Sequence, residues 1–259
     1  MKRYGIIGNP LGHSYSEGYF TDKFMRENID ACYIPYPLVE IKEAVKLLEE
    51  LDGFNVTYPY KEAILPYLNA IDPVAKMIGA VNVVSHGKGY NTDYLGFRAS
   101  LTQWLSITKH HLETKALILG TGGVSKAIQY ALDDLGIAYT LVSRRGSEIK
   151  TQGATIGKVE KKQLGYDEVD EQVINEHMLI INCTPLGMAP YQDQKPNIPY
   201  QLLSAKHLLY DCIYNPEKTL FLQEGEKQGC QIKNGLEMLH QQADEAWRIW
   251  ERDNEAVEE

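Results

Sequence analysis

The residues of this chain best placed to do chemistry are a glycine cluster and the two arginines that close the segment after it. Gly120-Thr121-Gly122-Gly123 follows four apolar residues, Ala116-Leu117-Ile118-Leu119, and Ser143-Arg144-Arg145 ends a second apolar run that begins at Tyr139. Glycine permits turn angles that a Cβ forbids and lets a ligand approach the main chain. Val124, Ala127, Ile128, Ala131, Leu132 and Leu135 then recur at helical spacing, and Gly136 supplies a stop. The stretch predicts a strand, a tight loop, a helix and a second strand. The helix start would turn its unpaired N–H groups and positive dipole end toward the loop, an arrangement that suits a pyrophosphate. Gly120, Gly122 and Gly123 are therefore candidate cofactor-binding residues. The dinucleotide fingerprint G-x-G-x-x-G is incomplete, with Ser125 at its third glycine, and a plain structural turn would use similar residues.

The second strand end narrows the ligand. A chain that binds NAD usually carries Asp or Glu about 20 residues past the glycines, to hold the ribose 2′-hydroxyl. Here Ser143, Arg144 and Arg145 stand there instead. Arginine grips a 2′-phosphate with two parallel charge-assisted bonds, so NADP is the expected cofactor. Near the other end of the chain, Ser14 and Ser16 lie two apart at the start of a helical segment. Their hydroxyls could serve one anionic group, or either could cap the helix from Glu17.

These groups need a scaffold, and the pattern around them is α/β. Arg3 to Gly8 and Tyr33 to Leu38 read as strands. Ile41, Ala44, Val45 and Leu48 mark an amphipathic helix, and Gly53 to Pro59 reads as a strand that proline ends. Gly79 to Val84 is a further strand with a hairpin-like Gly87-Lys88-Gly89, and Asn91-Thr92-Asp93 caps a helix with Tyr94, Phe97, Leu101, Trp104 and Leu105 on one face. Alternation of strand and helix predicts mostly parallel pairing. Residues 146 to 172 read as loop with one short strand, and His177 to Cys183 and His207 to Asp211 as strands. The last helix carries Leu236, Leu239, Ala243, Ala246, Trp247 and Trp250 on one face. We expect two domains: residues 1–100, and a dinucleotide-binding domain over 101–235, with the helix of 236–259 folding back on the first.

Composition excludes several classes. A net charge of −9 leaves no basic excess to neutralise nucleic-acid phosphates. No apolar run has the length of a membrane span, and the start enters a strand-like run without a signal peptide, so a cytoplasmic protein is expected. The four cysteines lack C-x-x-C spacing and the seven histidines lack H-E-x-x-H, so no metal is expected.

Taken together and in order, these motifs resemble the shikimate dehydrogenase family over nearly the whole chain. They are Gly8-Asn9-Pro10 with His13-Ser14-Tyr15-Ser16, Asn55-Val56-Thr57-Tyr58-Pro59-Tyr60-Lys61, Gly79-Ala80-Val81-Asn82, Asn91-Thr92-Asp93, the glycine loop, Asn182-Cys183-Thr184-Pro185-Leu186-Gly187-Met188, Tyr214-Asn215-Pro216 with Thr219, and Gly235 with Met238-Leu239 and Gln242-Ala243. The resemblance implies an open, mostly parallel α/β substrate domain and a Rossmann-like NADP-binding domain, with the site in the cleft between them. It implies reduction of 3-dehydroshikimate to shikimate with NADPH, a step toward aromatic amino acids. Lys61 and Asp93 would be the catalytic pair. Ser14 and Ser16 would hold the substrate carboxylate, and Thr57, Asn82 and Gln242 its ring hydroxyls. Arg144, with Arg145, would take the 2′-phosphate, and Ser143 would belong to the cofactor site. Thr184 would line the cofactor site, and Ile213 and Gly235 would flank the nicotinamide. The working unit would be a monomer or a homodimer.

The chain departs from the family pattern in two places, one of them four residues long. Glu17, Gly18, Tyr19 and Phe20 follow the second serine where proline and a polar residue are frequent, and Val83 stands where threonine is common. Within enzymes, the alternative is a quinate/shikimate dehydrogenase running oxidatively with NAD or NADP. In another class it is a non-catalytic, nucleotide-responsive homologue. A methyltransferase would leave the arginine pair without a purpose.

Overall fold

The computed structural model describes residues 1–11, 15–108, 115–144 and 162–258. These fall into two compact units, Met1–Asp93 with Gln242–Glu259, and Tyr94–Gln241.

In the first unit the strands are β1 (Lys2–Gly8), β2 (Ala31–Pro37), β3 (Gly53–Val56), β4 (Ala70–Ile71), β5 (Val83–Ser85) and β6 (Lys88–Tyr90), with helices α1 (Tyr15–Glu27), α2 (Ala44–Glu50) and α3 (Pro73–Ile78). The sheet runs β2-β1-β3-β5-β6-β4. β1 pairs in parallel with both β2 and β3, whereas β5 is antiparallel to β3 and to β6. The pairing is thus mixed, with β4 again parallel to β6 and only β5 running against its neighbours. β5 and β6 are joined by a tight hairpin whose central residues, His86 and Gly87, both have positive φ (44° and 76°). The turn lies there and not at Gly87-Lys88-Gly89, of which the last two residues belong to β6. One face of the sheet buries Ile7, Leu47, Phe54, Val56 and Ile64. The other buries an aromatic cluster of Tyr4, Phe20, Phe24, Tyr33, Trp247 and Trp250. The departure at Phe20 is absorbed in this cluster: its ring stacks on Tyr33 at 4.7 Å between centroids.

In the second unit the strands are β7 (Ala116–Leu119), β8 (Tyr139–Ser143), β9 (Lys162–Gly165), β10 (Leu179–Asn182), β11 (Leu208–Asp211) and β12 (Gln231–Lys233). Helices α4 (Asp93–Thr108), α5 (Gly123–Asp134), α6 (Glu171–Glu176) and α7 (Leu220–Lys227) accompany them, and α8 (Leu236–Glu258) follows. The sheet is parallel throughout and runs β12-β11-β10-β7-β8-β9. Counted within the sheet from β9, this is the order 3-2-1-4-5-6 of a doubly wound dinucleotide-binding fold. β7 and β10 are central, and every residue of β7 is buried, as a strand covered on both faces requires.

The boundary expected near residue 100 falls inside α4. The division lies at the first residue of that helix, because Phe97, Leu101, Trp104 and Leu105 all pack in the second unit's core. α8 begins in the second unit and continues in the first. Its expected single stripe therefore changes partners: Met238 is buried in the second unit's core, Ala243, Ala246, Trp247 and Trp250 in the first unit's, and Leu236 is 37 % exposed.

Candidate active site

In the first unit the chain brings Lys61, Asn82, Asp93 and Gln242 together. Lys61 follows β3, and its carbonyl accepts from Val81 N at 2.8 Å, which fixes it beside the segment entering β5. Its Nζ donates to Asp93 Oδ2 at 2.7 Å, with the lysine side chain 20 % and the aspartate 7 % exposed. Asp93 opens α4, where the helix dipole favours a negative charge. Its other oxygen, Oδ1, accepts from Asn82 Nδ2 at 3.0 Å. Asn82 is held from both sides. Its Oδ1 accepts from Thr92 N at 2.7 Å, and its Nδ2 also lies 3.0 Å from Thr92 Oγ1 and 3.2 Å from Gln242 Oε1. Each carboxylate oxygen of Asp93 thus has a donor, and Lys61 keeps two N–H groups beyond the one given to Asp93.

Ser16 lies deeper than a surface serine. It is the second residue of α1, inside the helix and not at its cap, and its hydroxyl bonds the Tyr33 phenol. Burial holds that phenol protonated well past its ordinary range, and it donates to Asn55 Oδ1 at 2.6 Å. Asn55 Nδ2 in turn donates to the Asn82 carbonyl at 3.3 Å. A polar line through Tyr33 and Asn55 therefore joins Ser16 to Asn82. Sequence reasoning assigned neither residue a role, although a polar side chain amid the apolar Gly53–Val56 run was a usable signal. Thr57 follows β3, its methyl so close to Gly8 that a Cβ there would lie 2.5 Å away. Ser14 lies outside the described residues.

In the second unit the glycine loop leaves β7 at the switch point of the sheet. Gly120 has φ 104°, and a Cβ on it would lie 3.0 Å from the Thr184 methyl and 3.2 Å from the Cys183 carbonyl. Glycine is required there by both angle and space. Gly122 caps α5 without any side-chain hydrogen bond, and a Cβ on it would meet nothing within 4 Å. Gly123 is the first residue of α5. The helix start thus offers backbone donors to open space, which fits a pyrophosphate. Ser125 is wholly buried and fills the third-glycine place. Arg144 is exposed at the end of β8, and Ser143 is buried with its hydroxyl accepting from Gln163 Nε2 at 3.0 Å. Arg145 lies outside the described residues. Ile213 and Gly235 are joined directly: Gly235 N donates to the Ile213 carbonyl at 3.1 Å, and a Cβ at 235 would lie 2.3 Å from the Cys212 oxygen. Thr184 is held by Asn182 Oδ1, which accepts from its N at 3.0 Å and its Oγ1 at 2.7 Å.

A buried acid at the end of β11 was also unassigned. Burial pushes the Asp211 carboxyl up from 3.8 to about 6, against hydrogen bonds from Thr219, Ile213 and Asn182 that favour its ionised form. Between about pH 4 and about pH 6 the folded chain binds more protons at this group than the unfolded chain does. Its contribution to stability is fully present below that window, falls as pH rises through it by about 3 kcal/mol, and is lost above it. Urea unfolding across the window should show the wild type losing that much relative to Asp211→Asn; parallel curves would refute the shift.

Among the described residues no group of three or more His, Cys, Asp or Glu could hold a metal ion. No described helix is long and apolar enough to cross a membrane.

The strand order and glycine loop define a dinucleotide-binding α/β protein. The profile of the shikimate dehydrogenase substrate-binding domain matches residues 6–84. A shikimate dehydrogenase (NADP(+)) of Bacillus cereus is 41 % identical, over 95 % of this chain and 91 % of that one. The crystal structure of shikimate dehydrogenase from Aquifex aeolicus is 32 % identical, with a TM-score of 0.83 over 96 % of this chain and 92 % of that one. That of the Thermus thermophilus enzyme, in complex with NADP(H) and shikimate, is 28 % identical, with a TM-score of 0.81 over 96 % and 93 %. The chain belongs to the shikimate dehydrogenase family.

Proposed function

We propose that this chain reduces 3-dehydroshikimate to shikimate with NADPH, a step in the biosynthesis of aromatic amino acids. The observation that carries the chemistry is the Lys61–Asp93 pair, a part-buried ammonium held at 2.7 Å by a carboxylate that Asn82 also holds. Bound NADPH supplies a hydride to the carbonyl carbon of the substrate. Negative charge then grows on the carbonyl oxygen, where Lys61 Nζ stabilises it and delivers a proton. Asp93 Oδ2 keeps Nζ in place. Asn82, Gln242 and Thr57 are assigned to the ring hydroxyls, and Ser16 with Ser14 to the carboxylate.

The second unit's residues suit the cofactor. The uncapped start of α5 at Gly122 and Gly123 is assigned to the pyrophosphate, with Gly120 giving the turn. Arg144, with Arg145, is assigned to the 2′-phosphate, Ile213 and Gly235 to the nicotinamide end, and Ser143 and Thr184 to the lining of the cofactor site. The reaction belongs to the cytoplasm, which suits a chain with no disulfide among its described residues.

The deciding assay follows NADPH absorbance with 3-dehydroshikimate, then repeats the measurement with NADH. Rapid turnover with NADPH and slow turnover with NADH is expected, and no turnover with either sinks the proposal. Arg144→Ala should raise KM for NADPH about 10-fold or more, since it removes charge-assisted bonds to phosphate, and leave NADH use nearly unchanged. An equal loss with both cofactors would remove Arg144 from the 2′-phosphate.

A further inference from the structure

We propose that Asp211 is a positioning residue whose buried carboxylate ties the loop after β10 to the loop after β11, and so sets where Thr184 and Ile213 stand for the cofactor. The inference rests on the reading that NADPH binds at the ends of β7 and β10.

Asp211 is the last residue of β11 and wholly buried. Its Oδ2 accepts from Thr219 Oγ1 at 2.5 Å, and Thr219 caps α7. Its Oδ1 accepts from Ile213 N at 3.0 Å and from Asn182 Nδ2 at 3.1 Å. Asn182 ends β10 and is the register partner of Asp211. It extends the network: its Oδ1 holds Thr184 twice, and its Nδ2 also donates to the Leu186 carbonyl at 3.3 Å. Leu186 N returns to Thr184 Oγ1 at 3.2 Å. The two loops also touch at Gly187 (φ 114°), where a Cβ would lie 2.9 Å from Thr219 and 3.4 Å from the Ile213 side chain. Thr184 borders Gly120, and Ile213 is bonded to Gly235. The carboxylate thus holds Ile213 directly and Thr184 through Asn182, and these two residues border Gly235 and Gly120 in turn.

The chemistry explains why this group is an acid. Three donors converge on it, and asparagine would turn an NH₂ toward at least one of them. The ionised form is disfavoured by burial at this place, so the carboxylate is retained at a cost to stability.

The test uses the full chain near neutral pH, with steady-state kinetics and thermal unfolding of Asp211→Asn, Thr219→Val and Thr219→Ser. Asp211→Asn and Thr219→Val should each raise KM for NADPH about 10-fold, the effect of losing one bond to a charged group. We expect kcat within about 3-fold and KM for 3-dehydroshikimate within about 2-fold of wild type. Thr219→Ser should restore KM for NADPH, and Asp211→Asn should not lower Tm. An unmoved KM for NADPH in both disruptive variants overturns the proposal, as does a fall in Tm without a change in that KM. If Asp211→Asn does not fold, the Thr219 pair decides by the same criterion. Wild-type failure to oxidise NADPH with 3-dehydroshikimate would count against the functional reading instead. In that case NADPH affinity, titrated by fluorescence, still separates the variants from wild type or shows them equal.

Discussion

Replacing Lys61 by alanine is expected to lower kcat for 3-dehydroshikimate reduction by about 10³-fold while KM changes by less than about 3-fold. The asymmetry follows from where the charge develops. A ground-state ketone gains little from the ammonium, whereas the oxygen gaining charge in the transition state gains a great deal. Only 20 % of the Lys61 side chain is exposed, so water replaces the lost donor poorly. Lys61→Arg separates the two roles of the ammonium, because a guanidinium keeps the charge and does not give up its proton. It should recover part of the alanine loss at most. Unchanged kcat with a raised KM in Lys61→Ala would make Lys61 a binding residue.

Asp93→Asn is expected to lower kcat by about 10²-fold. The amide oxygen can still accept from Asn82, so the local fold persists. The NH₂ then faces Lys61 Nζ, two donors meet, and the ammonium swings away from its 2.7 Å contact. Because the carboxylate acts through the lysine, Lys61→Ala with Asp93→Asn together should be no worse than Lys61→Ala alone. Losses that multiply in the double variant would show independent action and end the positioning role given to Asp93.

The segment around the glycine loop was legible because its signals are local. Four apolar residues, a glycine turn and a helical stripe sit in consecutive sequence and appear as β7 and α5. The edge strand Gln231–Lys233 and the two-residue Ala70–Ile71 carry no such pattern, being short and only partly buried, and only pairing with a neighbour defines them. The hairpin of β5 and β6 was legible at Gly87, and only its exact turn was not. The positive φ of His86 and Gly87 sets the reversal there and leaves Lys88 and Gly89 to β6.

What the sequence determined by itself is what nearest neighbours along the chain decide: a glycine-bearing helix start, arginines in place of an acid, and the order of motifs that marks the family. What the tertiary structure alone decided is contact between residues far apart in sequence. Asn82 meets Gln242 across 160 positions, Lys61 meets Asp93 across 32, and Asp211 meets Asn182 across 29. The physical reason lies in the polar groups themselves. A buried donor or acceptor must find a partner, but its residue type does not say which one, and only the folded backbone fixes the few within 3 Å or so.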